Sequence, residues 1–279
     1  KEPYCSVRGS RTFPRAVAEA AMSPDIILHI QPGFQVPGHP RCFSGTPFAI
    51  KVQRVLQYKH LPFRVREVGW QERLQVLPML ATSGKLPVLD YDGERIEDST
   101  AMAYWLEARH PEPPLVPADD CERARMHFME EWADEVLYFY GFYGNLRLGG
   151  HTTLRYVSED FSAEFLAQLE AGVRQHWEQT LHYQGLGRYP VEKFQADLAR
   201  SLDGLEAMIA RDGFTAGSRL TLADLAVFGQ MARFLSGTHP WFEGEFNRRR
   251  ALTGWFKRVD DSTCAADRQP SSAPERFDA

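Results

Sequence analysis

The chain has 279 residues, 43% of them hydrophobic and 12% aromatic, which is enough material for two ordinary globular domains. Its 32 basic and 37 acidic side chains leave a formal charge of −5 spread along the sequence, so no basic footprint for nucleic acid or an anionic membrane stands out. No apolar run approaches the roughly 20 residues of a membrane span and no signal core opens the chain, so the expectation is a soluble cytoplasmic protein with small-molecule or protein partners.

Residues 1–23 carry four basic and two acidic side chains without a clean period and read as a flexible extension, with Met22 as an older start. The run DIILHIQ (25–31) is apolar and β-branched and suits a buried strand. After a Gly/Pro-rich loop, TPFAIKVQRVLQYKH repeats Phe48, Val52, Val55 and Leu56 at helical spacing. FRVREV (63–68) alternates as a strand, and QERLQVLPML is a short helix interrupted by Pro78. LPVLDY and ERIED flank Asp92-Gly93, a hairpin signal because both central turn positions need positive φ. AMAYWLEARH then sets Ala101, Met102, Trp105 and Leu106 on one helical face. The expected order over 24–110 is β-α-β-α-β-β-α.

PEPPLVPADD (111–120), with four prolines, reads as a stiff linker. Over 121–260 the pattern is helical throughout, at 121–144, roughly 160–184, 191–211, 221–236 and about 245–259. Thr221 and Asp224 have capping-box spacing, with Leu220 and Leu225 placed as a hydrophobic staple. Residues 261–279 have the polar, Pro/Ser-rich composition of a disordered tail. Cys5, Cys42, Cys121 and Cys264 form no C-x-x-C pair, which argues against a disulfide or zinc framework. Glu130, Glu131, Asp134 and Glu135 read as a solvated helix face, and with no E-x-x-H or H-x-x-x-H set no metal is expected.

Two features bear on chemistry. A proline at a strand start is tolerated where its missing N–H faces no neighbour, and a cis bond before Pro87 turns the Leu86 backbone toward a cleft. Asp98 and Ser99 open a helix, where orphan N–H groups and the positive dipole end attract anions; the pair suits an α-amino acid, or serves simply as an N-cap.

The constellation L-P-V-L, D-G, E-D-S-T-A-M and an apolar helix resembles the cytosolic glutathione transferases. The resemblance covers about 25–260 and implies an α/β thioredoxin-like domain followed by an all-α bundle. It implies glutathione as co-substrate, with the backbone at Leu86 and Pro87 holding the cysteinyl part and Asp98 and Ser99 the γ-glutamyl end. The family's usual acid is glutamate, and Asp98 is one methylene shorter. A hydroxyl in CFSGTPFAIKV would activate the thiol: Ser44 when laid on a zeta-like pattern, Thr46 when laid on a tau- or omega-like one. Tyr138, Phe139 and Phe142, in an aromatic-rich helix, would line the pocket for a small apolar electrophile. A homodimer through the helices starting near 99 and 121 is also implied. GLGRYPVEKFQADLARSLDGLEAM is similar to the failed-axon-connections and metaxin branch of the fold, which leaves a non-catalytic binding or interaction protein as the alternative.

Overall fold

The computed structural model describes residues 23–149 and 152–263; the expected N-terminal extension, Met22 included, and most of the expected tail lie outside them. The first half runs β1 (Ile26–Ile30), β2 (Pro32–Phe34), β3 (Cys42–Ser44), α1 (Pro47–Tyr58), β4 (Arg64–Glu67), α2 (Arg73–Leu80), β5 (Val88–Tyr91), β6 (Glu94–Glu97) and α3 (Ser99–Arg109). Four strands form one sheet in the order β4-β1-β5-β6, with β4 parallel to β1 and the other pairs antiparallel. The β5–β6 turn has Asp92 at φ +48° and Gly93 at φ +84°, the geometry the Asp-Gly signal calls for.

The β2–β3 hairpin corrects the sequence expectation of a plain loop after β1. Its paired positions are Pro32 with Ser44 and Phe34 with Cys42, too few for any periodicity to show. A distant segment completes it: Phe34 forms a bridge with Val157, and the Gln35 N–H donates to the Tyr156 carbonyl at 3.0 Å. Such non-local pairing has no sequence signal.

The second half is helical. Helix α4 (Asp120–Trp132) passes through a π-helical turn, Ala133–Leu137, into α5 (Tyr138–Gly144), and a second π turn, Asn145–Gly149, carries it beyond the expected end at 144. Then follow α6 (Ala163–Gln184), α7 (Val191–Asp212), α8 (Leu222–Phe234), α9 (Pro240–Asn247) and α10 (Arg250–Thr263). The single helix expected at 245–259 is thus two, parted at Arg248 and Arg249. The start of α10 is capped from another helix, because Glu206 of α7 accepts from the N–H groups of Ala251 and Leu252 at 3.0 and 2.6 Å.

The capping box at α8 is formed as read, and its acid does more than cap. Asp224 is wholly buried, accepting from the backbone N–H and hydroxyl of Thr215 and of Thr221 and from the indole of Trp255. Five donors compensate one buried carboxylate and lock α8 against α10 and the chain before it. Helix α8 in turn packs along α1, so the core runs continuously from sheet to bundle. Among the described residues no helix is long and apolar enough to cross a membrane.

Candidate active site

The topology gathers four chain segments at one end of the sheet. Parallel pairing of β1 with β4 brings the segments that follow them, Gln31 and Trp70–Arg73, to that end. His29 pairs with Val88 and Val88 with Glu97, so Leu86-Pro87 before β5 and Asp98-Ser99 after β6 emerge beside them. The Leu86–Pro87 peptide is cis, and Leu86 stands outside the ladder, which begins at Val88.

Asp98 is the N-cap of α3: its Oδ1 accepts from the N–H of Thr100 at 3.0 Å and of Ala101 at 2.9 Å. Its backbone, at φ +70° and ψ 125°, is a strained conformation for a residue with a Cβ, costing on the order of 1–3 kcal/mol. Ser99 is buried directly behind it. The loop leading to Leu86 is tied to the same corner by Glu97, which accepts from the N–H and hydroxyl groups of Thr82 and Ser83. Those bonds, the Ser83 N–H foremost, hold its carboxyl down to about 2.

The two hydroxyls differ in setting. Ser44 is 0% exposed; its Oγ donates to the Gln31 carbonyl at 3.4 Å and accepts from the Thr46 N–H at 3.2 Å. Thr46 is half-buried and caps α1, its Oγ1 accepting from the Ala49 N–H at 3.3 Å, with Pro47 at the first helical position. Among the described residues nothing accepts the Thr46 hydroxyl proton.

Tyr138, Phe139 and Phe142 come together. Tyr138 lies with its ring 4.7 Å from Phe48 in the first turn of α1, 5.7 Å from Phe139 and 4.6 Å from Phe142, and Phe142 continues to Trp177 at 4.9 Å. Burial pushes the Tyr138 hydroxyl up to about 12, so it stays a neutral donor. Close approach here depends on glycine: a Cβ at Gly141 would meet the Phe234 ring at 2.8 Å, and one at Gly144 would overlap His239. The corner between α8 and α9 thereby seats against the Tyr138 helix.

Three donors at the site have no signal in the sequence. Trp70 has a buried indole N–H with no partner among the described residues. Arg73 stacks 4.9 Å over that indole and donates to Gln31 Oε1 at 3.0 Å, with no carboxylate within 4 Å among the described residues. Arg233, in the last turn of α8, is 7% exposed and likewise lacks a carboxylate. It donates to Thr238 Oγ1 at 2.8 Å and lies 4.4 Å over the Phe34 ring. A cation–π contact, one hydrogen bond and a favourable place at a helix C-terminus together offset about 3 kcal/mol, against a desolvation penalty of several.

Behind the Asp98 helix start lies the clearest correction. Glu130 and Asp134 are not on a solvated face: Lys51, 1% exposed, donates to Glu130 Oε1 at 2.8 Å, Asp134 Oδ2 at 2.6 Å and Thr100 Oγ1 at 3.0 Å. Thr100 itself donates to Glu130 Oε1 at 2.6 Å. Burial pushes the Asp134 carboxyl up to about 6 against the pull of Lys51. Burial works against charge on Lys51 too, but Asp134 and Glu130 outweigh it and hold its pKa above the ordinary lysine value.

An α/β domain of this topology followed by a helical bundle defines a glutathione transferase fold. The model of the glutathione S-transferase N-terminal domain matches residues 43–114 and that of the C-terminal domain residues 163–258. The chain belongs to the cytosolic glutathione transferase superfamily. It is 31% identical over 78 residues to glutathione S-transferase DHAR2 of Arabidopsis thaliana, a match covering 28% of this chain and 37% of that protein. The first curated relatives are thus matched over about a third of their length. Protein LigF of Sphingobium sp. strain SYK-6 is 24% identical over 229 residues, 79% of this chain and 86% of that one. The crystal structure of that beta-etherase superposes with a TM-score of 0.59 at 20% identity, covering 84% and 94% of the two chains. A glutathione transferase homolog from Sulfitobacter with bound glutathione superposes at 0.53 with 16% identity, covering 87% and 97%.

Proposed function

We propose that the protein is a glutathione-using enzyme in which Thr46 activates the thiol for attack on a small electrophile held against Tyr138, Phe139 and Phe142. The observation that carries this reading is the Thr46 hydroxyl: it caps α1 with its oxygen and keeps its proton unspent, at the end of the sheet where the four segments converge. A thiol of pKa ~8.5 is only a few per cent ionised at pH 7. Lowering it by about two units, roughly 2.7 kcal/mol, makes thiolate the major form, and a donated O–H with the N-terminus of α1 behind it acts in that direction. Ser44, sealed inside, serves by holding the Thr46 N–H.

In this reading the Leu86 backbone and Pro87 face the cysteinyl part. The γ-glutamyl ammonium meets Asp98, whose Oδ2 is left over from capping, and its carboxylate meets Ser99 and the α3 N-terminus. The unpartnered Trp70 indole and Arg73 supply donors for the glycyl carboxylate at the opposite end. A homodimer on α3 and α4 belongs to the same reading, supported by Tyr104, Val136 and the 72% exposed Phe128 on those helices and the π turn between α4 and α5. Light scattering should give twice 31.8 kDa; a single-chain mass contradicts it.

A titration calorimetry experiment with glutathione tests the binding arrangement. Asp98→Ala should weaken affinity by about 1–3 kcal/mol, and unchanged affinity contradicts the placement. The alternative, a non-catalytic binding protein of the failed-axon and metaxin kind, draws on the buried Ser44 and on Asp98 serving as a cap. It requires that bound glutathione keep an ordinary thiol.

A further inference from the structure

Five basic side chains are buried among the described residues, and four have carboxylates. Lys51 meets Glu130 and Asp134, Lys59 meets Glu107, Arg54 meets Asp260, and Arg249 meets Asp203 and Glu245. Arg233 has none within 4 Å, only the Thr238 hydroxyl and the Phe34 ring. Among the described residues the chain therefore neutralises its buried cations as a rule and leaves this one without a counter-ion.

Its position explains why. Arg233 lies in the last turn of α8, one residue before Phe234, which packs into the gap left by Gly141, one helical turn from Tyr138. On its other side Phe34 pairs with Cys42 in the hairpin that leads through Ser44 to Thr46. We propose that Arg233 is the subsite for a carboxylate carried by the electrophile, so that the substrate is an acid with an apolar body and not a purely apolar molecule. A planar guanidinium receives a carboxylate through two parallel hydrogen bonds, while Phe48, Tyr138 and Phe142 take up the apolar remainder. The neighbours supply no negative charge of their own: burial pushes both the Cys42 thiol and the Tyr138 hydroxyl up, and both remain neutral near pH 7.

This rests on the reading of the cleft as a thiol-activating site, and two measurements separate the claims. The first compares kcat/KM with glutathione for a chlorodinitrobenzoate and for its methyl ester, which differ in charge at one group. Relative to the uncatalysed rates of the two compounds with glutathione, the wild-type protein should favour the acid by about tenfold or more, Arg233→Gln should bring that ratio to about one, and Arg233→Lys should retain part of the preference. A wild-type ratio of one or less, or a preference that survives Arg233→Gln, overturns the subsite. The second needs no thiol chemistry: calorimetric binding of unreactive dinitrobenzoate should be at least tenfold weaker in Arg233→Gln than in wild type. If turnover is absent but this difference is found, the catalytic reading fails and the anion subsite stands. Equal binding by the two proteins, or none by wild type, overturns the subsite itself.

Discussion

The junction around Lys51 and the corner around Arg233 are both places where the helical bundle meets the α/β domain, and they handle charge in opposite ways. At the first, one ammonium has two carboxylates and a threonine, and a Glu130 oxygen has no partner among the described residues. At the second, one guanidinium has a hydroxyl and an aromatic face. The first is closed within the chain and fixes the helix start that carries Asp98 and Ser99. The second is incomplete until something anionic arrives. Buried charge thus marks structure in one place and recognition in the other, and only the partners tell which.

Removing each base sharpens the contrast most. Lys51→Met strands two carboxylates in the interior and should lower stability by about 3–5 kcal/mol in urea unfolding. Arg233→Met removes a charge with no counterion, and ligand-free stability should hold or rise. A loss above about 1 kcal/mol at Arg233 would make it a structural residue like Lys51.

Acid should also divide the two regions. His239, beside the Arg233 corner, is 1% exposed, and burial lowers its pKa to about 4. A folded-state value below the unfolded 6.5 means its contribution is present above pH 6.5 and lost as pH falls through 4, about 3 kcal/mol in all. Asp134, at the Lys51 junction, has the opposite sign: its folded value of about 6 lies above the unfolded 3.8, so its contribution is full below pH 3.8 and lost as pH rises through 6. His239→Phe should therefore flatten the acid limb of a stability profile, and Asp134→Asn should flatten the loss of stability between pH 4 and pH 8. Thermal unfolding across that range reads both, and parallel profiles for wild type and either variant would contradict the assignment. The smallest effect belongs to Thr46→Ala, about 1 kcal/mol of unfolding free energy for a lost cap, measured in the same urea series.

What the sequence made legible follows the range of the interactions. Asp92-Gly93 and Thr221 with Asp224 are local signals, and the turn and the cap each formed where their residues lie. The β5–β6 register that sets Leu86 beside Asp98 follows from that hairpin. Hidden were the features completed from elsewhere in the chain: the β2–β3 hairpin needs Tyr156 and Val157, the α10 cap needs Glu206, and the charge on Glu130 needs Lys51 from 79 residues away. A row of acids on one helix is polar by composition, and only the fold shows that two of them face inward. Trp70, Arg73 and Arg233 were silent for the same reason, since a missing partner is visible only once the neighbours are placed.

The most direct measurement is the ultraviolet titration of the glutathione thiolate in its complex with the full chain. With wild type, half-ionisation should fall about two units below the free thiol's ~8.5, and Thr46→Ala should return it toward that value while glutathione still binds. A bound thiol that titrates like the free one in wild type, or a shift that Thr46→Ala leaves intact, contradicts thiol activation by Thr46.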